Sequence, residues 1–160
     1  MLQITIACVG KIKEKYLIMG LAEFQKRLSG YCRLSWIEVP DEKTPEDASA
    51  AEENEIRGTE GEKLLKRLPE QAWIIALALN GKQLDSVQLS RRIDTLSVNG
   101  HSHLVFVIGG SLGLSDAVLQ RADESWSFSA LTFPHQLMRL ILLEQLYRAF
   151  RISRNEPYHK

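Results

Sequence analysis

The chain has 160 residues, of which 44% are hydrophobic and 25% charged, with 20 basic and 20 acidic side chains and a formal net charge of zero. That balance argues against a protein that coats nucleic acid indiscriminately. No apolar run is long enough to span a bilayer. The first residues place their apolar stretch before their lysines, the reverse of a signal peptide. We therefore expect one cytoplasmic domain with a core of its own.

Strand and helix patterns alternate through the first half of the chain. An apolar run in residues 2–10 predicts a buried strand, and spaced apolar residues in 14–28 predict a helix. Alternation in residues 32–39 predicts a second strand, which Pro40 ends. A polar, acidic stretch follows and leads into a helix that ends at about Leu68.

Two continuous apolar runs mark the second half, "AWIIALAL" at residues 72–79 and "HLVFVIGG" at residues 103–110. Runs without alternation favour strands buried on both faces, as in a parallel sheet. Asn80-Gly81 follows the first run as a turn, and an amphipathic helix ending near Asn99-Gly100 separates the two runs.

The last third contains a short helix that Ser115 can cap, the short strand "SWSFS", and a long helix with Pro134 in its first turn. The β-α alternation predicts an α/β fold with a mainly parallel sheet flanked by helices. Apolar residues fill nearly every position from 137 to 143, so two faces of the long helix must be covered. Deep burial is one explanation; we favour a homodimer.

The cysteines give no sign of a metal or a disulfide. Cys8 and Cys32 are the only two, and neither belongs to a C-x-x-C pair. We expect both to be buried, reduced thiols. No cluster of His, Asp and Glu suggests a metal site.

A glycine turn is the first candidate ligand site. Gly109, Gly110 and Gly113 follow a buried strand, and ligands of α/β sheets collect at the carboxyl ends of strands. The turn matches neither G-x-G-x-x-G nor a phosphate loop. On these residues alone, the glycines either approach a ligand or merely make the turn.

The polar residues of the long helix leave similar alternatives open. His135 could bind an anion or move a proton, or simply be satisfied by a local hydrogen bond. Arg139, Arg148, Arg151 and Arg154 could contact phosphates or be solvated. Glu144, a carboxylate among leucines, either pairs with an arginine or caps backbone amides.

Several sequence motifs are specific enough to indicate a protein family. "ITIACVGKIKEKY", "VPDEK", "FVIGGSLGL", "SWSFSALTFPHQLMR" and "EQLYRAFRISRNEPYHK" resemble the RlmH family of ribosomal RNA methyltransferases over essentially the whole chain. The resemblance implies a SPOUT-type fold with a C-terminal trefoil knot, in a single domain spanning residues 1–160, with the knotted cofactor-binding region at about 72–160. It also implies a homodimer that acts on large-subunit ribosomal RNA in assembled ribosomes.

The same resemblance implies S-adenosyl-L-methionine as cofactor, which has no phosphate and so explains the missing phosphate fingerprints. The residues that match the family's cofactor contacts are Leu77, Gly109, Phe128, Ser129, Ala130, Leu131, Thr132 and Phe133.

The reaction implied is methylation of the N3 imide nitrogen of a pseudouridine. That nitrogen must lose a proton, and the resulting negative charge must be stabilised. Our candidate catalytic residues are His135, Arg148, Tyr158 and His159, with Arg148 as anion stabiliser and His159 as proton acceptor. We expect the tail of one subunit to complete the site of the other, with neither a metal nor a membrane involved.

Two alternatives remain at this point. A SPOUT methyltransferase with another RNA substrate, such as transfer RNA, would share most of these motifs. A non-catalytic α/β module could use the same glycine turn for a flavin or a nucleotide. Binding of S-adenosylmethionine, measured against flavin mononucleotide and ATP, separates the second alternative from the first.

Overall fold

The computed structural model describes residues 1–160 as five strands that alternate with five helices. The elements are β1 (Leu2–Val9), α1 (Lys15–Leu28), β2 (Cys32–Val39), α2 (Ala50–Arg67), β3 (Trp73–Gln83), α3 (Ser86–Val98), β4 (His103–Ile108), α4 (Asp116–Arg121), β5 (Glu124–Ser127) and α5 (His135–Ser153). The predicted order of strands and helices is confirmed.

All five strands pair in parallel, in the order β2-β1-β4-β3-β5. The two uninterrupted apolar runs become β3 and β4, and β4 lies at the centre of the sheet. A parallel sheet needs both faces covered, which is why its inner strands carry no polar side. The predicted α/β fold with a mainly parallel sheet is therefore confirmed.

Each face of the sheet has its own apolar core. Ile4 and Ile6 of β1 and Phe106 of β4 pack with residues of α1, α3 and α5. Val9 of β1 and Val105 of β4 face the other way, onto residues of α2 and α4. Because side chains alternate along a strand, one run of apolar residues supplies both cores.

Three helices begin at side-chain caps. Ser49 and Asp85 each accept a bond from the backbone three residues on and form capping boxes at α2 and α3. Ser115 accepts from the Val118 amide at 3.3 Å, which confirms the predicted cap of α4. Such caps satisfy amide groups that the first helical turn leaves unbonded.

The structure differs from our prediction at the end of β3. The strand does not stop at Asn80-Gly81 but continues to Gln83, after an irregularity in which Trp126 of β5 is paired with both Leu77 and Lys82. A Cβ on Gly81 would lie 2.7 Å from the backbone of β5. Close contact between two chain segments, rather than a free turn, is the reason for glycine here.

The other expectations for single elements have mixed outcomes. Strand β5 spans Glu124–Ser127, so the predicted strand at residues 125–129 was too long at its end, and Phe128 lies outside the observed strand. Cys8 and Cys32 are buried and unpaired, as expected, and burial raises the pKa of Cys8 to about 12 and of Cys32 to about 11. No helix combines the length and the apolar character that a membrane crossing requires.

Candidate functional site

A cavity of about 670 Å³ opens at the carboxyl ends of β3, β4 and β5. Its walls come from the middle of β3 (77–80), the end of β4 with the glycine turn (108–114), the end of β5 with the segment that follows it (126–129 and 131–135), and residues Leu119 and Met138. Twelve of the 22 lining residues are hydrophobic. Small-molecule sites are mostly apolar clefts of a few hundred to about 1,000 Å³, so this cavity has the size and lining of a ligand site.

The glycine turn is closed so tightly that residue 109 has room for no side chain. A Cβ there would lie 2.5 Å from the carbonyl carbon of Gly113. The turn is held by the Gly113 amide, which donates to the Gly110 carbonyl at 3.0 Å. Gly113 has a φ of +84°, a conformation that favours glycine. The backbone of this turn therefore lies directly on the cavity wall.

Helix α2 supports the turn from behind, through residues that the sequence analysis did not select. Arg57 donates to the Leu112 carbonyl at 3.4 Å, and Gly61 lies so close to Ser115 that a Cβ would come within 2.3 Å of its hydroxyl oxygen. Between them, Glu60 is only 5% exposed and accepts the Glu42 amide at 2.9 Å. A sequence signal did exist: Glu60 and Leu64 are four residues apart, on the face of α2 that is buried.

Burial raises the pKa of the Glu60 carboxyl group, the amide bond from Glu42 lowers it, and the nearby Asp41 raises it further. A Cβ on Gly110 would lie 3.2 Å from a Glu60 carboxylate oxygen. The carboxyl group thus fills much of the space behind the turn, and a side chain at residue 110 would have to displace it by a few tenths of an ångström.

Seven of the eight residues predicted to contact a cofactor line the cavity: Leu77, Gly109, Phe128, Ser129, Leu131, Thr132 and Phe133. Ala130 is exposed and does not line it. The segment is shaped by a local turn in which the Leu131 amide donates to the Ser129 hydroxyl at 2.9 Å. This turn directs residue 130 away from the cavity.

His135, the first residue of α5, also lines the cavity. Burial lowers the pKa of its imidazole, the charge of Arg139 lowers it further, and Asp41 opposes both. A lowered pKa keeps the ring neutral near pH 7, so it can accept a proton there.

Arg139 is not available for phosphates. It is 1% exposed, and it donates to the carbonyls of Val9 at 3.0 Å and Gly10 at 2.7 Å and to the Glu38 carboxylate at 2.7 Å. A buried guanidinium needs such a set of acceptors to offset its lost hydration. Its role is to fasten α5 to the carboxyl end of β1, beside the cavity.

The remaining three catalytic candidates, Arg148, Tyr158 and His159, form a separate group with Glu144, and we call these four residues the tail cluster. Arg148 donates to Glu144 at 2.9 Å and lies 3.1 Å from Nδ1 of His159. The Tyr158 hydroxyl donates to the same carboxylate at 3.0 Å, and the Arg148 guanidinium lies over the Tyr158 ring. The predicted pairing of Glu144 with an arginine is confirmed.

None of the tail cluster lines the cavity of the same protomer. The cluster is instead fixed to the end of α5 and the start of β2. Arg151 bonds to Tyr31 and Glu156, and Asn155, with a φ of 55°, turns the chain back on itself. Partial burial raises the pKa of Tyr158, and its bond to Glu144 raises it further.

Comparison with known proteins bears directly on this geometry. The model of the family described as "Predicted SPOUT methyltransferase" matches residues 2–159. The chain is 57% identical to ribosomal RNA large subunit methyltransferase H of Clostridioides difficile (strain 630) and 55% identical to the protein of the same name from Bifidobacterium adolescentis. Each match covers 99% of this chain and 100% of the relative.

The chain belongs to the SPOUT methyltransferase family. The resemblance found in its motifs is thereby confirmed, and so is a SPOUT-type fold. Among solved structures, a probable methylase family protein from Haemophilus influenzae Rd KW20 has a TM-score of 0.55 at 12% identity. That match covers 98% of this chain and 70% of the other chain, and it supports the fold alone.

Proposed function

We propose that this SPOUT methyltransferase transfers a methyl group from S-adenosyl-L-methionine to large-subunit ribosomal RNA, at the N3 nitrogen of a pseudouridine. The observation that carries the proposal is the cavity at the Gly109 turn. The relatives described above, which this chain matches over their full length, are named as large-subunit rRNA methyltransferases. We further propose that its substrate is the assembled ribosome and that it works in the cytoplasm.

The cavity fits a donor of this chemistry. An adenosine needs apolar walls and a few backbone hydrogen bonds. Leu77 and Phe128 supply apolar surface, and the turn at Gly109 exposes main chain on the wall. The residues that would hold the donor are Leu77, Gly109 and the cavity-lining members of 128–133. When bound, S-adenosylmethionine supplies a methyl group already activated by its sulfonium.

The residues of this chain have the remaining tasks, which are to align the acceptor nitrogen, to take its proton and to stabilise its charge. His135 borders the cavity and is neutral near pH 7 because burial lowers its pKa. Arg148 is always charged and is held in place by Glu144. His159 presents an imidazole beside it, 3.1 Å away. We assign anion stabilisation to Arg148 and proton transfer to His159, with Tyr158 and His135 orienting the base.

This assignment requires a second protomer, because the tail cluster does not line the cavity of its own chain. We propose a homodimer in which each tail reaches the cavity of the partner. Exposed apolar residues support such an interface: Tyr16 and Met19 on α1 are 66% and 72% exposed, and Leu131 at the cavity is 69% exposed. Large apolar side chains that one protomer leaves exposed are of the kind that a partner subunit covers.

We also propose that residues 1–160 form a single domain in which the region from about 72 to 160 is threaded as a trefoil knot. The close passage of β3 against β5 at Gly81, with its double pairing to Trp126, supports intertwined chain segments in this region.

The test is methyl transfer from labelled S-adenosylmethionine to three substrates: ribosomes, free large subunits and naked rRNA. We expect ribosomes to be methylated and mass analysis to place the methyl group on one pseudouridine. Transfer to tRNA instead would support a different RNA substrate, and calorimetry showing that flavin mononucleotide binds but S-adenosylmethionine does not would overturn the methyltransferase assignment.

A further inference from the structure

A second concavity lies beside α3, which packs next to α5 on the same face of the sheet. It is an open groove of about 250 Å³ between the end of β3 and α3, lined by Lys82, Leu84, Gln88, Arg91, Arg92 and Thr95. Three of the six lining residues are cations and only one is hydrophobic. We call it the α3 groove. Its lining differs from that of the cavity, which is mostly apolar, so it suits a ligand of another kind.

One cation of the α3 groove is rigidly positioned. Arg92 bonds to Glu124 through Nε at 2.9 Å and Nη2 at 2.6 Å, which leaves its Nη1 unbonded to that carboxylate. Glu124 is itself fixed by the indoles of Trp73 and Trp126, at 2.7 and 3.0 Å. A guanidinium held in this way loses little freedom when a ligand binds, which favours affinity.

The other two cations have no acidic partner. The side chains of Lys82 and Arg91 are exposed and take part in none of the eight ion pairs of the chain. The acids nearest in sequence have other bonds: Asp85, three residues from Lys82, accepts the Gln88 amide at 2.7 Å, and Asp94, three residues from Arg91, accepts the Ser153 hydroxyl at 2.8 Å. Free donors on Lys82, Arg91 and Arg92 therefore face the same groove, an arrangement typical of a phosphate contact.

The position of the α3 groove indicates which phosphates it would contact, namely those close to whatever nucleotide enters the cavity. Asn80 lines the cavity and Lys82 lines the groove, and two residues of chain span at most about 7 Å. On the far side of the cavity, the loop after β1 carries Lys11 and Lys13, and Lys15 begins α1; we call these three lysines the basic loop. Because β1, β4 and β3 are neighbours in this order, the basic loop, the cavity and the Lys82 end of the α3 groove follow one another across the sheet, and the groove continues from there toward Arg92.

We infer that the α3 groove binds RNA backbone phosphates that flank the nucleotide being methylated. The inference rests on the proposed function and extends it, because it gives the substrate a path across the enzyme. Nonspecific phosphate contacts position an RNA, whereas the cavity selects the base. A protein of zero net charge can bind RNA in this way through a local basic surface.

The test replaces the two unpaired cations, as Lys82→Ala with Arg91→Ala in one chain. The matched control is Arg33→Ala with Lys66→Ala, which removes two exposed cations from β2 and α2, away from the groove. A conservative variant, Lys82→Arg with Arg91→Lys, keeps both charges. Each variant is measured for ribosome binding at several salt concentrations, for kcat/KM with ribosomes, and for affinity for S-adenosylmethionine alone.

We expect the groove variant to bind ribosomes more weakly and to lower the slope of log K against log salt by about 1 for each lost contact, or roughly 2 in all. Its kcat/KM falls about tenfold or more, while its affinity for S-adenosylmethionine is unchanged. The conservative variant restores most of the loss. If the groove variant behaves as the control does, the inference is wrong although the proposed function stands. If the unaltered protein binds S-adenosylmethionine and methylates no ribosomal RNA, both are overturned.

Discussion

The cavity and the tail cluster are two parts of one proposed site, yet they are built in different ways. The cavity is enclosed by main chain and apolar side chains from β3, β4 and β5, and one protomer contains all of it. The tail cluster consists of charged and aromatic side chains at the end of α5, bonded to one another through Glu144. Under the proposed function, donor binding would belong to one chain, whereas activation of the acceptor would depend on two.

The largest effect on donor affinity is expected from Gly109→Ala, which tests the cavity. The added Cβ would lie 2.5 Å from the backbone of Gly113, and overpacking of this kind costs about 1–3 kcal/mol. We expect affinity for S-adenosylmethionine, measured by calorimetry, to fall roughly 10- to 100-fold. The control is Gly58→Ala in α2, where a Cβ meets nothing within 4 Å. It should bind normally and gain up to about 1 kcal/mol of folding stability.

The second prediction concerns a truncation that removes part of the tail cluster and leaves the cavity intact. Removal of residues 156–160 takes away Tyr158 and His159 and should abolish methyl transfer, while calorimetry shows donor binding largely intact. Full activity in the truncated protein would refute a catalytic role for the tail.

Mixing the truncated chain with the Gly109→Ala chain then tests whether the site is shared. In a mixed dimer, the truncated chain supplies an intact cavity and the other chain an intact tail. At a donor concentration too low to fill the Gly109→Ala cavity, activity should return to roughly a quarter of the unaltered level if chains assort at random into dimers. No recovery, despite mixed dimers shown by mass measurement, would place each tail at its own cavity.

A smaller effect is expected from Arg148→Lys, which keeps the charge of the tail cluster but not its geometry. Lysine cannot bond to Glu144 with two nitrogens and still reach His159 as the guanidinium does. We expect kcat to fall about tenfold, with unchanged donor affinity. Arg154→Lys is the matched control, since Arg154 only lies over the Tyr31 ring. Equal loss in both variants would mean that neither arginine acts on the reaction.

The smallest effect concerns pH and stability, away from both regions. Burial lowers the pKa of His103, which lies 2.8 Å from the Thr5 hydroxyl. Because the folded protein disfavours the protonated imidazole, the neutral ring contributes to the free energy of unfolding. That contribution is complete above the unfolded pKa of about 6.5 and is lost as the pH falls below it. Thermal unfolding of a His103→Gln variant should depend less on pH between 7 and 5 than that of the unaltered chain. An unchanged pH dependence would show that His103 is protonated equally in both states.

The sequence was most informative where one local pattern decides the outcome. The apolar runs of β3 and β4 predicted buried parallel strands because nothing but a two-sided sheet accommodates them. The Gly109 turn was located because glycines after a buried strand of an α/β sheet point to the carboxyl edge. Ser115 was identified as a cap because a serine before a helical run satisfies its first amides.

Features that depend on distant partners could not be read in the same way. Asn80-Gly81 predicted a turn, but pairing with Trp126, more than forty residues away in the chain, extends β3 through it. Arg139 resembled a solvated helical arginine, and only the fold brings the carbonyls of Val9 and Gly10 to it. The separation of the tail cluster from the cavity likewise follows from where α5 ends, which no local pattern records.

Trp126 gives the protein a built-in optical reporter. Its indole is 1% exposed, lies on the cavity wall and donates to Glu124 at 3.0 Å, whereas the other two tryptophans, Trp36 and Trp73, lie outside the cavity. Ligand binding in the cavity should therefore change the fluorescence of Trp126 and leave that of the other two tryptophans unchanged. Filling of the pocket can be followed in real time without a label, and Trp126→Phe would silence the signal.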